Sequence, residues 1–111
     1  MTVYIYANPG QIVQLTVQVR NQSGERQDSP NVPTLDFAYN PSLEEMNGFP
    51  VEMTKLETGL YTAALSIPTG SAGLGTYIVS ASWQHPSTLI DQYELFMVHV
   101  VYPFGIVSFS T

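Results

Sequence analysis

Between Val13 and Arg20 the chain alternates without a break. Val13, Leu15, Val17 and Val19 are apolar, and Gln14, Thr16, Gln18 and Arg20 are polar. A period of two places the first set on one side of a β-strand and the second on the other, which predicts a half-buried strand with one wet face. The same reading recurs along the chain. Thr2 to Ala7 supplies a shorter strand, closed by the turn residues Asn8-Pro9-Gly10. Leu35, Phe37 and Tyr39 alternate with Asp36 and Ala38 and predict a strand ending at Asn40-Pro41. Phe49, Val51 and Met53 predict the next, placed at a sheet edge because Pro50 cannot donate to a ladder. Tyr61, Ala63, Leu65 and Ile67 face inward on another, and Tyr77, Val79, Ala81 and Trp83 on the one after it.

From Tyr93 to Tyr102 the alternation collapses. Leu95, Phe96, Met97, Val98, Val100 and Val101 are apolar on both faces, and such a strand is covered on both sides or lies against a partner. Polar segments separate the strands: Asn21 to Asn31, Pro68 to Gly75, and Gln84 to Ile90. Leu43 to Met46 has room for one helical turn, but no window carries a convincing amphipathic helix. Seven short strands at near-regular spacing predict an all-β antiparallel sandwich or barrel. With neither internal repeat nor linker, the chain reads as one domain: residues 1–101 as the sandwich, and 102–111 as an apolar C-terminal strand or arm of it.

One stretch carries a resemblance. Leu56 to Trp83 reads LETGLYTAALSIPTGSAGLGTYIVSASW, in which one Gly-x-Tyr strand leads through a Pro/Gly loop into a second. This is similar to the later strands of prokaryotic and phage immunoglobulin-like domains and covers about a quarter of the chain. The resemblance implies an immunoglobulin-like sandwich of seven to eight strands, with Tyr61 and Tyr77 packing or hydrogen-bonding at its corners and Trp83 near the core. The cysteine pair of antibody domains is missing. A fold of this kind hosts many functions, so function has to be argued from the site.

Composition narrows the classes. At 111 residues a single core buries roughly 65% of the surface exposed by the unfolded chain, and no staple is needed. There is no cysteine, hence no disulfide framework and no thiolate metal site. Only 11% of residues are charged, with nine carboxylates against Arg20, Arg26 and Lys55, a net charge of −6. Three scattered cations cannot build a phosphate-binding face, so nucleic acid is not an expected partner. No segment approaches the ~20 apolar residues of a membrane span, so membrane insertion is not expected. Met1 to Asn8 has neither the basic nor the apolar region of a signal peptide. Asn21-Gln22-Ser23, which matches the glycosylation sequon, is read as a chance match.

Candidate chemistry is thin. His85 sits in a His-Pro turn, and His99 lies between Val98 and Val100 on a strand. His85, Asp91 and a serine form a triad only on paper, since nothing resembles a strained nucleophile turn. Glu44-Glu45, and Glu52 and Glu57 around Lys55, read as solvated surface acids. Met46, Met53 and Met97 with two histidines bring copper to mind, but no local His-x-Met or His-x-His pair exists. Met53 and Met97 fit core filling better. No catalytic residue, cofactor or metal is expected.

The end of the chain is more pointed. Tyr102-Pro103-Phe104-Gly105-Ile106-Val107-Ser108-Phe109 has one polar side chain, and an apolar patch of this kind marks an interface. Leu95, Met97, Tyr102, Phe104, Ile106, Val107 and Phe109 are the candidate interface residues, acting by edge-strand addition to a neighbouring subunit or completing the protein's own sheet. The expected function is that of a non-enzymatic structural protein. The first expectation is a phage virion component (capsid decoration, cement or head fibre) that binds capsid or like subunits as a homo-oligomer. The alternative is a spacer or adhesion module of a bacterial surface or secreted protein.

Overall fold

A computed structural model describes residues 2–102. Eight strands form two sheets: β1 (Thr2–Ala7), β2 (Ile12–Gln18), β3 (Thr34–Tyr39), β4 (Val51–Glu52), β5 (Thr54–Glu57), β6 (Leu60–Ser66), β7 (Gly75–Gln84) and β8 (Asp91–Val100). The larger sheet runs β1-β8-β7-β3-β4 and the smaller β2-β6-β5. The fold is therefore an all-β sandwich, and its only helical element among the described residues is a 3₁₀ turn at Gly70–Gly73. The core between the sheets is the alternation made solid. Val13, Leu15, Val17 and Val19 from the β2 side meet Leu35, Tyr77, Val79, Ala81, Phe96 and Val98 of the larger sheet, all buried.

Three local features depart from simple alternation. The pairs are antiparallel except β1 with β8, which run parallel from Thr2–Leu95 to Ala7–Val100. The cause is the Asn8–Gln11 turn, which sends the chain across to β2 in the other sheet instead of back along β1. Gly10 N–H donates to Pro68 O and Ile67 N–H to Gln11 O, pinning that turn to the end of β6. Second, the predicted strand around Phe49–Met53 divides. Val51–Glu52 pairs with β3, Thr54–Glu57 pairs with β6, and Met53 between them is 4% exposed. Its N–H donates to Pro33 O, so the chain changes sheets there with a side chain plugged into the core. The eighth strand comes from this division. Third, Leu43 to Met46 is not helical: the turn lies at Asn40–Leu43, Leu43 has φ +63°, the Asn40 side chain accepts from Ser42 N–H and Glu44 N–H, and Glu45 then bridges back to Tyr39.

Tyr77 supplies a corner. Its hydroxyl donates to Gly73 O, four residues upstream, at 3.2 Å. That is the arrangement described for the tyrosine at the start of the sixth strand of immunoglobulin sandwiches. Tyr61 is buried in the core, and Trp83 packs against it part-buried.

The loop from β2 to β3 is fastened by charge. Asp28 accepts from Lys55 Nζ at 2.6 Å and from Gly59 N–H at 2.9 Å. The ammonium first, and the amide second, hold this carboxyl below its ordinary 3.8. A depressed folded value means a stabilising contribution present above the unfolded pKa and lost as pH falls through the folded one. Replacing Asp28 by Asn is thus expected to lower the melting temperature at pH 6–7. The gap between the two proteins should close as pH falls through the depressed value of the folded carboxyl and the wild-type side chain is itself protonated. A gap that stayed constant across a pH series of melts would show that the charge contributes nothing.

Candidate functional site

The larger sheet has an outer face that no other element covers among the described residues. β8 presents Tyr93, Leu95, Met97 and His99 there, because Phe96, Val98 and Val100 point inward. β1 adds Tyr4 and Tyr6, 66% and 74% exposed, while its alternate residues Val3, Ile5 and Ala7 pack on the core. β7 adds Thr76, Ile78, Ser80 and Ser82.

β3 joins the face through a change of phase. The register with β7 shifts between Leu35 and Phe37, so that Leu35 pairs with Ala81 but Phe37 with Ser80. One extra residue, Asp36, makes a β-bulge. Leu35 and Ala38 consequently face the core at 0% exposure, and Phe37 and Tyr39 turn outward. The expectation that Leu35, Phe37 and Tyr39 share one side is corrected here.

Pairing across the strands orders these side chains in rows. Tyr4, Met97, Ile78 and Tyr39 form one row, and Thr2, Leu95, Ser80 and Phe37 the next. Tyr6, His99 and Thr76 flank them. The rings interlock. Tyr4 stacks on His99 with planes 3° apart and centroids at 6.0 Å, Tyr6 tilts against the same imidazole at 5.4 Å, and Phe37 meets Tyr39 edge-on at 5.3 Å. His99 Nδ1 lies 2.9 Å from Thr76 Oγ1. Neighbouring rings and a hydrogen bond hold the imidazole in place.

Charge stays at the margin. The strands of this sheet contain no lysine or arginine, and the outward carboxylates are Asp36 at the bulge, Glu52 on β4, Asp91 at the start of β8 and Glu45, bridged beside Tyr39. The cations lie elsewhere: Arg26 pairs with Glu57, Lys55 with Asp28, and Arg20 donates to Gly24 O and Gln18 Oε1.

Of the residues named from the sequence, Leu95 and Met97 sit side by side on this face, both half-buried. Met97 is thus not the core filler that Met53 is. Tyr102 follows the end of β8, half-buried, where Val101 N–H donates to Ala7 O. Phe104, Ile106, Val107 and Phe109 lie outside the described residues. The sequence reading missed Tyr4, Tyr6, Phe37, Tyr39, Ile78, Tyr93 and His99. A signal for part of them was present: Tyr4 and Tyr6 are two apart, on a strand whose intervening residues are aliphatic.

The other candidates do not assemble. His85 Nδ1 accepts from Ser87 N–H and Thr88 N–H, which makes the ring a turn fastener. Among the described residues neither histidine is hydrogen-bonded to a carboxylate, and no group of three His, Asp or Glu could share a metal ion. Nor is any helix there long and apolar enough to cross a membrane. A groove of about 390 Å³ beside Pro41, Met46, Pro68 and Tyr77 has as its one titratable group the Tyr77 phenol, already donating to Gly73 and pushed up by burial. Compared with protein-family models, curated proteins and solved structures, the chain finds no match.

Proposed function

We propose that this is a non-enzymatic structural protein of the immunoglobulin-like class, a phage virion component that binds the capsid or its own copies through the outer face of the larger sheet. The observation that carries the reading is the aromatic, uncharged centre of that face. Monomeric proteins rarely leave contiguous apolar patches larger than a few hundred Å² in water, and larger ones mark binding sites. Its composition is that of an interface core: Tyr, Phe and Met within, carboxylates at the rim. The Tyr77–Gly73 corner supports the immunoglobulin-like part, and the low overall charge suits a subunit in a crowded shell. The tail candidates Phe104, Ile106, Val107 and Phe109, beginning beyond Tyr102 at the end of β8, belong to the same proposal as an accessory contact.

The test is co-sedimentation with capsid shells of the source phage. Saturable binding is expected, weakened at least ~10-fold by Met97→Ala or Tyr4→Ala if these are central anchors. No binding to shells, together with a reading frame continuing into a longer surface protein, would sink the virion reading.

A further inference from the structure

We infer that the outer face of the larger sheet is the seat of a two-fold homodimer, in which two copies of this chain stack these faces against each other. The inference rests on the reading that this face is where the protein binds, and it names the partner.

Area is the first argument. The face spans β1, β8, β7 and β3. Four strands ~4.8 Å apart, each about eight residues long at ~3.3 Å per residue, make a plate of roughly 19 by 26 Å, or ~500 Å² in flat projection. Side-chain relief raises the accessible area toward the ~800 Å² per partner of a standard stable interface. A second copy covers such a plate in full, whereas a peptide strand laid along it would leave most of the rings wet.

Shape and charge point the same way. Two twisted sheets stack face to face ~10 Å apart with strand directions within about 30°, so the packing inside the protein can be repeated outside it. A two-fold contact presents the same patch from both sides and must be self-complementary. Here the centre qualifies: Leu95, Met97 and Ile78 are apolar, Ser80 is small, and the rings of Tyr4 and Tyr39 continue their row. No lysine or arginine lies on the face to seek an acidic partner. Asp36, Glu52 and Asp91 stand at the margin, where water solvates them in the dimer as in the monomer.

That charge arrangement has a consequence. Each copy carries −6, so association proceeds against mutual repulsion and strengthens as salt screens it. A contact with a basic partner would weaken instead.

The experiment is solution mass by light scattering on the full chain, from 5 to 200 μM and at low and high salt. The wild type is expected to reach twice the 12.2 kDa chain mass, at lower concentration when salt is raised. Tyr4→Glu combined with Tyr93→Glu, at positions 66% and 63% exposed, should return a single-chain mass with an unchanged circular dichroism spectrum. Ile12→Glu, on the edge strand of the other sheet and 61% exposed, should leave the dimer intact. A wild type that stays single-chain throughout overturns the inference, even if it binds shells. So does a dimer that survives the double substitution. Should the double variant fail to fold, single cysteines decide, because the chain has none of its own. A bismaleimide of about 10 Å reach, the spacing of stacked sheets, should cross-link Leu95→Cys or Met97→Cys into a covalent dimer but leave Ile12→Cys uncoupled, and absence of coupling at both 95 and 97 refutes the face-to-face dimer. Dimer formation without shell binding would leave the inference standing and remove only the virion setting.

Discussion

Phe96→Ala is expected to cost about 3–5 kcal/mol, the range for emptying a buried phenylalanine site. Against a total stability of about 5–15 kcal/mol, that lowers the melting temperature by ~15 °C or more. Phe96 is 1% exposed and sits in the middle of β8, opposite Val79 on β7 and Val3 on β1. β8 itself is fixed on both sides by ladders, to β1 and to β7, so the strand cannot shift to fill the space left behind. The adjacent substitution makes the prediction sharp. Met97→Ala removes a side chain of similar reach from the outer face, where it is half-buried, and should cost less than about 1 kcal/mol. Urea denaturation of both variants, below the concentration at which the protein associates, gives the comparison. A larger loss at 97 than at 96 would mean that the face presented by β8 has been assigned the wrong way round, and equal losses that both faces are covered alike.

The second large effect is expected at Gly59→Ala, about 2–4 kcal/mol. Gly59 has φ +70°, and a methyl group there would stand 2.7 Å from Gln27 N and Val19 O and 2.9 Å from Arg26 Cβ. Left-handed backbone costs an L-residue roughly 1–2 kcal/mol. The two shortest contacts are with main chain, which cannot swing aside as a flexible side chain can. Relief therefore requires loosening Val19 N–H to Gly59 O at 2.7 Å or Gln27 N–H to Val19 O at 3.0 Å, each worth about 1 kcal/mol net. Denaturation should show the loss, and hydrogen exchange at the Val19 and Gln27 amides should quicken ahead of the core strands. A loss under ~0.5 kcal/mol would show that the β2–β3 loop yields without resistance. The same variant should flatten the acid dependence assigned to Asp28, whose carboxylate is held in part by the Gly59 amide.

These two positions differ in how legible they were. Gly59 opens a Gly-x-Tyr unit visible in the chain, and its partner Tyr61 was read as inward and is buried. What the glycine was for was not visible, because the atoms that crowd it belong to residues 19, 26 and 27, far away in sequence. Phe96 lay in a run apolar at almost every position. The run announced a strand covered or contacted on both faces without saying which face was the core.

The sequence by itself determined the class: an all-β sandwich, the inward set Val13, Leu15, Val17 and Val19, the inward set Tyr61, Leu65 and Ile67, and the edge position imposed by Pro50. Each rests on period-two alternation or on local backbone chemistry, which need no knowledge of distant partners. Only the tertiary structure decided the rest. The bulge at Asp36 arises from pairing with β7, and one inserted residue moved Phe37 and Tyr39 from the expected core to the outer face. The change of sheet at Met53 requires two ladders to compete for one segment. Tyr4, Tyr6 and His99 come together because β1 runs parallel to β8, the first strand beside the last. Their joining into one aromatic plate is a matter of register between strands some ninety residues apart, which no local pattern encodes.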